Sequence, residues 1–347
     1  MYPWALSDEI RMKRWQLWLG IGISVGLTWL ALRGLRLDQV WTAVQGAAYG
    51  WLVPGIAVYF LAVWARAWRW HYLLRPLKHV STSAAFPIVC IGYMGNNLYP
   101  ARAGELLRSY VLRRKHGVPM SGSLATILVE RSFDGVVMLG FIVFNLPELA
   151  RATSDAGLVG SIRSVAVLGA VVFLAAVLVF GLFARFPQQG AALVGRVPLP
   201  SQYRARAEGL THRFLEGLAS LRSPREVLMV LLTSTVIWLL ETAKYWFVMH
   251  AFPFELSFFA LMLMNGIVNL ATSLPSAPGY LGTFDAPGIA VLVAYGVTKP
   301  LATAYTLVLH AALWLPITLL GAYYLARESI GWSAVRAELA QEAANPS

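Results

Sequence analysis

The sequence predicts an all-α, polytopic integral membrane protein built as a helical bundle. Its residues are 58% hydrophobic and only 13% charged, and the mean hydropathy is +0.60. A soluble domain usually carries about 25% charged residues. The apolar residues form blocks of about 20, the length with which a helix crosses a bilayer core of ~30 Å. A transmembrane barrel would instead show alternating segments of about 10 residues, which the sequence does not contain.

The net charge is explained by a membrane rather than by a nucleic acid. The chain has 28 Lys and Arg against 17 Asp and Glu, a formal charge of +11. Because the basic residues cluster between the apolar blocks, we attribute most of them to the basic bias of cytoplasmic loops and expect no nucleic-acid partner. The single cysteine, Cys90, excludes an internal disulfide and a cysteine-rich metal site. The sequence contains no catalytic or metal-binding motif, so we expect neither a metal nor another cofactor.

Six apolar blocks predict full spans, and a cytoplasmic lead of residues 1–14 precedes them. The predicted spans cover residues 15–32, 51–64, 119–146, 159–183, 227–250 and 301–326. With the segments between them they form one transmembrane domain, residues 15–327, which a polar tail of residues 328–347 follows. Residues 185–225 are the longest hydrophilic stretch, and their basic excess predicts a cytoplasmic loop that contains a helix.

The end of the second span sets the expected orientation. Arg66, Arg69, Arg75 and Lys78 are interleaved with tryptophans, which is typical of a cytoplasmic membrane interface. We therefore interpret these basic residues as interfacial. Alternation of the spans then places both the N-terminus and the C-terminus in the cytoplasm, and we expect the bacterial cytoplasmic membrane as the location.

The segment at residues 83–98 is apolar but short and broken. It contains Pro87 and two glycines, ends near Asn96 and Asn97, and has basic residues on both sides. It either spans against the charge rule or enters the membrane and returns. We favour re-entry, because non-helical backbone at membrane depth is tolerated where protein or a water-filled cavity surrounds it. Residues 103–115 then predict an amphipathic helix.

A second broken stretch lies at residues 273–285. Four residues in it prevent a continuous helix: Pro275, Pro278, Gly279 and Gly282. The expected orientation makes residues 257–297 a re-entrant hairpin that enters from the side opposite to the first. Two broken segments of opposite entry are typical of inverted-repeat transporters, whose binding site lies centrally between them. We therefore hypothesise an inverted repeat.

Ionisable residues inside spans are costly to insert and mark either ion pairs or pathways. Glu130 and Asp134 are four residues apart and share a helix face, and Arg131 lies beside them. Arg131 either pairs with an acid on a neighbouring helix and so holds the bundle together, or the three residues serve a headgroup or proton path. Glu241 and Lys244 likewise either pair along one helix or belong to the path.

The polar residues of the first break have similar alternatives. Asn96 and Asn97 either bond exposed backbone or donate hydrogen bonds to a phosphate. Arg102 and Arg108 can bond phosphate oxygens through the guanidinium fork, provided that the backbone before Gly104 bends.

Asp285 and His310 complete the polar residues near the second break. Asp285 either caps the half-helix that follows the break, where freed amides also favour an anion, or pairs with an amine or a proton. For His310, which is alone in its span, we expect a satisfied polar contact rather than a ligand.

Three motifs carry a resemblance to a known family: Arg102-x-Gly104-Glu105-x-x-Arg108, Glu130-Arg131-x-x-Asp134 and Pro278-Gly279-x-x-Gly282-x-x-Asp285. In this order they resemble the flippase-like transmembrane domain family, which includes the membrane part of lysylphosphatidylglycerol synthases. The resemblance covers about residues 15–327. Where the family has a glutamate at the end of the last motif, this chain has Asp285, which keeps the charge and shortens the reach.

The resemblance implies a protein that moves a lipid, or a lipid-linked group, between leaflets. It does not imply lysyl transfer, because that chemistry belongs to a large soluble domain for which residues 328–347 are too short. We therefore expect a transporter rather than an enzyme, a flippase for a phospholipid, an aminoacyl-lipid or a polyprenyl-linked headgroup. The sequence contains no nucleotide-binding motif, so we expect passive or gradient-coupled transport.

The expected partner is a membrane lipid with an anionic or phosphate-bearing headgroup, and a lipid-modifying enzyme is a further expected partner. The residues predicted to bind the headgroup are Asn96, Asn97, Arg102, Glu105, Arg108, Glu130, Arg131, Asp134, Glu241, Lys244, Pro278, Gly279, Gly282 and Asp285. The alternative hypothesis is a membrane-embedded enzyme, or an accessory subunit, that acts on a polyprenyl-phosphate or a phospholipid.

Overall fold

A computed structural model of the protein describes residues 18, 21–99, 103–195, 201–274 and 276–328. Within these ranges the chain forms helices and turns and contains no strand. The predicted class, an all-α polytopic membrane protein, is thereby confirmed. The predicted lead at residues 1–14, the candidate Arg102 and nearly all of the predicted tail lie outside the described residues.

The described helices follow the chain in the order α1 to α13. Their bounds are α1 Ile21–Leu32, α2 Leu37–Gln45, α3 Leu52–Leu74, α4 Thr82–Leu98, α5 Ala103–His116, α6 Met120–Ala152, α7 Ala156–Arg185, α8 Pro187–Gly195, α9 Ser201–Gly217, α10 Pro224–Met249, α11 Phe258–Ala271, α12 Asp285–Ala294 and α13 Lys299–Arg327. Short 3₁₀ turns lie at Tyr49–Trp51, Ala219–Arg222 and Pro278–Tyr280.

Within the described part of the chain, four helices are long and apolar enough to cross a membrane, and they correspond to four of the six predicted spans. They are Tyr49–Leu74, Val159–Arg185, Pro224–Met249 and Lys299–Arg327. A fifth, α6, has 33 residues and is therefore long enough, but it carries Glu130, Arg131 and Asp134 near its middle. The described part of the first predicted span is the shorter apolar helix α1.

The first break is a hairpin of two short helices. The helix α4 ends at Leu98, and α5 returns along it so closely that position 104 admits only glycine. A Cβ there would lie 1.9 Å from the carbonyl oxygen of Gly92 and 2.5 Å from the backbone nitrogen of Asn96. Since both of these atoms belong to the backbone, neither could give way. The two helices thus form a tight hairpin, and its entry into the membrane and return to the same side stays a prediction.

The second break is also a hairpin, in which α11 and α12 pack together around the turn Pro278–Tyr280. Gly279 and Gly282 have φ angles of +74° and +78°, which favour glycine. A Cβ at Gly279 would lie 3.6 Å from the carbonyl oxygen of Asn97 and 3.0 Å from Nε1 of Trp314. The two breaks therefore lie close to each other, beside α13.

The helix α7 is the most exposed long helix in the described part of the chain. Only 6% of the most apolar 18-residue stretch of this helix is buried, and Leu168 is 67% exposed. Its contact with α6 includes the ring of Phe173, which lies over Gly135, where a Cβ would be 2.3 Å from the ring. Because lipid tails solvate such apolar side chains, α7 forms a lipid-facing wall.

The structure contradicts our interpretation of Arg66 and Arg69 as interfacial residues. The helix α3 continues to Leu74, and Arg66 and Arg69 are only 6% and 1% exposed. The basic bias of loops is a rule about composition, and it does not determine which way a helix turns its side chains. Here both guanidinium groups point toward α6 and α10, where carboxylates pair with them.

Candidate functional site

Charged side chains from α3, α5, α6 and α10 meet inside the bundle. The basic members are Arg66, Arg69, Arg108, Arg131 and Lys244, and the acidic members are Glu105, Glu130, Asp134 and Glu241. Their contacts divide them into an inner set, a cavity set and one bridging pair. The division matters because the sets differ in charge balance.

The inner set consists of Arg69, Arg108, Glu130 and Asp134. Arg69 donates from Nη1 and Nη2 to the two carboxylate oxygens of Asp134, at 2.6 and 3.2 Å. Its Nε lies 3.5 Å from Oε1 of Glu130, whose Oε2 accepts from Nη1 of Arg108 at 2.8 Å. Trp238 also donates to Asp134, at 3.0 Å. Two cations and two carboxylates make this set neutral, and its bidentate contact orients the groups.

Arg108 is buried, whereas a charged residue of an amphipathic helix is expected on the polar, exposed face. Its side chain is only 7% exposed, and its guanidinium carbon lies 3.5 Å from the centroid of the Trp70 ring. The aromatic face and Glu130 together stabilise the cation. Among the described residues, Nε and Nη2 of Arg108 have no hydrogen-bond partner.

The cavity set consists of Arg66, Glu241 and Lys244. Arg66 donates from Nη1 to one carboxylate oxygen of Glu241, and Nζ of Lys244 donates to the other. The three side chains are between 5% and 7% exposed. The predicted contact between Glu241 and Lys244 along α10 is thus present. Two cations share one carboxylate, which leaves this set with one positive charge in excess.

Aromatic rings surround the cavity set. The guanidinium carbon of Arg66 lies 5.3 Å from the ring centroid of Trp238 and 5.7 Å from that of Tyr93. Nζ of Lys244 lies 4.5 Å from the ring centroid of Tyr59. These ring faces partly stabilise the cations without neutralising them.

The bridging pair is Arg131 and Glu105, whose charged atoms lie 3.2 Å apart. Arg131 also lies 3.8 Å from Asp134 of the inner set. The pair connects α5 with α6, which is the contact that our helix-locking alternative describes. With exposures of 29% and 21%, these two side chains are more accessible than the inner set.

A cavity of about 300 Å³ lies between the two breaks. Its charged lining residues are Arg66, Arg131, Asp134, Glu241 and Lys244. The first break contributes Asn96 and Asn97, the second break contributes Tyr280 and Phe284, and α7 contributes Phe173. The cavity is therefore bounded by both hairpins and by the lipid-facing helix.

The two asparagines of the first break have different contacts. Nδ2 of Asn97 donates to Oγ1 of Thr318 at 2.8 Å and to the carbonyl oxygen of Trp314 at 3.4 Å, so it binds α13. Oδ1 of Asn96 is buried without a hydrogen-bond partner among the described residues. Asn97 thus bonds chiefly to a side-chain hydroxyl, and only its longer contact goes to backbone, as the first of the two alternatives describes.

The second break is held by Asp285 and His310. Oδ2 of Asp285 accepts from the backbone N–H of Gly282 at 3.0 Å, which is the capping contact that the sequence allowed. Its Oδ1 lies 2.8 Å from Nδ1 of His310, and Nε2 of His310 lies 2.8 Å from the carbonyl oxygen of Gly279. Pro278 begins the turn that carries Gly279.

Arg66 and Arg69 are the residues at the site that sequence reasoning missed. A signal was available, because both lie within an apolar helix and are three residues apart, which puts them on one face. Among the described residues no group of three or more His, Cys, Asp and Glu side chains could hold a metal ion.

Comparison with known proteins gives a family match over most of the chain. The family described as lysylphosphatidylglycerol synthase TM region matches residues 17–321. A protein named glycosyltransferase AglD from Haloferax volcanii is 27% identical over 92% of this chain, and the match covers only 55% of that relative's length. The chain thus spans about half of this longer relative.

Two shorter relatives match over most of their own length. A UPF0104 membrane protein of Methanothermobacter thermautotrophicus is 25% identical over 79% of this chain and 83% of its own. A UPF0104 membrane protein of Pyrococcus horikoshii is 22% identical over 89% of this chain and 96% of its own. No solved structure matches the chain.

Proposed function

Because the chain belongs to the lysylphosphatidylglycerol synthase transmembrane region family, we propose that it moves a lipid with a phosphate-bearing headgroup between membrane leaflets. The observation that carries this proposal is the uncompensated positive charge of Arg66, Glu241 and Lys244 on the cavity. It supports an anionic ligand.

The charge balance favours an anion. Within the described residues the three charged sets contain five cations and four carboxylates, which leaves one positive charge in excess apart from the separate His310–Asp285 pair. A buried charge that no opposite charge neutralises costs roughly several kcal/mol. An anion in the cavity would neutralise the excess charge and lower this cost. Arg66 also has a buried Nε without a hydrogen-bond partner in the described part of the chain. A phosphate has the charge and the acceptor oxygens to satisfy it.

The cavity size favours a headgroup rather than a whole lipid. A volume of about 300 Å³ lies at the lower end of ligand pockets, and acyl chains would have to stay in the bilayer. Phe173 lines the cavity from α7, which is the most exposed long helix in the described part of the chain. We therefore place the entry of the headgroup beside Phe173.

The proposal changes the roles that the sequence suggested. Arg66, Lys244 and Arg131 would bind the phosphate, since all three line the cavity. Arg108 pairs with Glu130 in the neutral inner set and would hold the helices in place. Arg102 stays a predicted phosphate ligand.

The same proposal includes the orientation and location of the protein. We place both ends of the transmembrane domain on the cytoplasmic side of a cytoplasmic membrane. The support is the excess of basic residues in the segments between spans, including residues 185–225.

A second candidate function is suggested by the relative named glycosyltransferase AglD. In this alternative the chain handles a lipid that serves as a sugar carrier, and it works beside a transferase. The phosphate of a polyprenyl carrier has the same chemistry as that of a phospholipid, so the same cavity would bind it.

Both candidates are tested by reconstitution into vesicles that contain a fluorescent lipid and a membrane-impermeant quencher outside. The lipids are labelled phosphatidylglycerol, labelled polyprenyl phosphate and, as a control without phosphate, labelled diacylglycerol. We expect the protein to expose inner-leaflet phosphate lipid to the quencher, and Arg66→Gln to abolish the effect. Arg36→Gln, at an exposed ion pair, is the matched control.

The outcomes separate the candidates. Movement of phosphatidylglycerol supports the first, and movement of polyprenyl phosphate alone supports the second. Movement of no phosphate lipid, or no effect of Arg66→Gln, overturns the proposal.

A further inference from the structure

His310 lies between two hydrogen-bond acceptors in the middle of the second break. Nε2 faces the carbonyl oxygen of Gly279 at 2.8 Å, and Nδ1 faces Oδ1 of Asp285, also at 2.8 Å. The side chains of His310 and Asp285 are 12% and 10% exposed. Bulk water is therefore a poor alternative partner for either ring nitrogen.

A neutral His310 beside an ionised Asp285 has one proton too few for both contacts to be hydrogen bonds. A carbonyl and an ionised carboxylate only accept hydrogen bonds, whereas a neutral imidazole carries a single N–H. Both contacts can be hydrogen bonds only if the imidazole is doubly protonated or if the Asp285 carboxyl carries a proton. The backbone N–H of Gly282 already occupies the other carboxylate oxygen, at 3.0 Å.

We propose that His310 and Asp285 form a proton-binding site, and that release of its proton loosens the second break and so couples headgroup movement to a proton gradient. The coupling rests on the proposed lipid transport, whereas the proton site does not.

The position of the pair explains how a proton could change the cavity. The contact from His310 to Gly279 ties the turn Pro278–Tyr280 to α13. The same turn lies against the first break, since a Cβ at Gly279 would be 3.6 Å from the carbonyl oxygen of Asn97. The ring of Phe284, which lines the cavity, lies 4.5 Å from that of His310. Loss of the contact between His310 and Gly279 would allow the turn and the neighbouring Phe284, which lines the cavity, to move.

Other ionisable groups face the same cavity and bear on its proton balance. They are Tyr59 and Arg66 on α3, Tyr93 on α4, Arg131 and Asp134 on α6, Glu241 and Lys244 on α10, and Tyr280 in the turn. Asp38 on α2, which packs against α13, is exposed and paired with Arg36 at 3.1 Å.

Spectroscopy on the purified protein tests the proton site without any transport. The imidazole nitrogens are labelled with ¹⁵N, and the signal of His310, one of six histidines, is identified by its loss in His310→Gln. At neutral pH we expect either doubly protonated His310 or an infrared carboxylic-acid band that disappears in Asp285→Asn. Neutral His310 together with an ionised Asp285, from about pH 5 to about pH 8, would overturn the site.

Vesicle transport with an imposed pH gradient tests the coupling. In Asp285→Asn the amide can donate to Nδ1 and still accept from Gly282, so a neutral imidazole satisfies every contact. We expect the gradient to accelerate wild-type transport of labelled phosphatidylglycerol about fivefold or more, within the range of coupling between two sites. Transport by Asp285→Asn and by His310→Gln should not depend on the gradient.

The matched control is His250→Gln, because the His250 side chain bonds the carbonyl oxygen of Trp246 and lies outside the second break. It should keep the wild-type response. An equal response to the gradient in wild type and Asp285→Asn would overturn the coupling. If the wild type moves no lipid with or without a gradient, the proposed function and the coupling are both wrong, and the spectra alone decide the proton site.

Discussion

The inner set and the cavity set are built from the same kinds of side chain, yet they differ in balance. In the inner set Arg69 and Arg108 face Glu130 and Asp134, and three of these four side chains are 1% exposed. In the cavity set Arg66 and Lys244 share Glu241. One set is neutral and reaches the cavity of about 300 Å³ only through Asp134, whereas the other is cationic and lines that cavity with all three of its members.

The difference shows how one buried ionic cluster can serve two purposes. A neutral set gains less from binding an anion, and removal of one member leaves a buried charge without a partner. A set with an unmatched charge is less favourable by itself, and an anion relieves that cost. Variants of the inner set should therefore affect folding first, and variants of the cavity set should affect binding first.

The largest effect is expected for Arg69→Ala in the inner set. The change leaves Asp134 without its bidentate partner, and loss of one member of a buried pair costs about 3–5 kcal/mol. We expect a large loss of folded protein, seen as a lower yield of monodisperse protein in detergent and a lower unfolding temperature. Arg69→Lys, which keeps the charge, should lose less. Normal stability of Arg69→Ala would contradict the structural role of this set.

The next largest effect is expected for Lys244→Met in the cavity set. Glu241 keeps Arg66 as a partner, so the set becomes neutral and stability should be retained. Binding of a phosphate lipid should fall about tenfold or more, because a hydrogen bond to a charged group contributes about 1.5–3 kcal/mol. Calorimetric titration with short-chain phosphatidylglycerol measures it. Lys244→Arg is the control that keeps the charge, and unchanged binding by Lys244→Met would refute the charge argument.

A smaller effect is expected at the contact between α6 and α7. A Cβ at Gly135 would lie 2.3 Å from the ring of Phe173, so Gly135→Ala forces the ring to move. Overpacking of this kind costs about 1–3 kcal/mol. Thermal unfolding should show the loss, and Gly135→Ala should destabilise a Phe173→Ala background less than it destabilises the wild type. If Gly135→Ala costs the same in both backgrounds, the ring does not occupy this position.

The smallest effect is expected for Arg36→Ala, at an ion pair whose side chains are 69% and 65% exposed. The hydrogen bond from Arg36 lowers the pKa of Asp38 in the folded protein. Any stabilisation by the pair is therefore fully present at a pH above the pKa of an aspartate in the unfolded chain, and it is lost on acidification. Exposed pairs contribute little. We expect no measurable change in unfolding temperature at neutral pH. A clear fall in the unfolding temperature would show that this exposed ion pair stabilises the protein as a buried pair does.

Much of the fold could be predicted because it depends on local chemistry. Long apolar blocks predict spans, and four of them are present as long apolar helices. Pro278, Gly279 and Gly282 predict the second break, and the positive φ angles of the two glycines lie there. The close contact at Gly104 could not be predicted, since it depends on the distance between two helices.

The charged residues of the site show the limit most clearly. Glu241 and Lys244 are three residues apart, so helix geometry alone predicts that they can meet. Arg66 and Glu241 are far apart in the chain, and only the packing of α3 against α10 brings them together. The same basic residues satisfy the loop-charge rule and the ion-pair network, and composition does not distinguish these environments.

The sequence by itself determined the membrane class, most of the spans, the two breaks and the charges placed within helices. These follow from hydropathy, helix periodicity and backbone chemistry, which act over a few residues. The tertiary structure alone decided which charges neutralise each other, which one is in excess, and that His310 meets both Asp285 and Gly279. Charge balance is a property of groups that are close in space, and helix packing sets those distances.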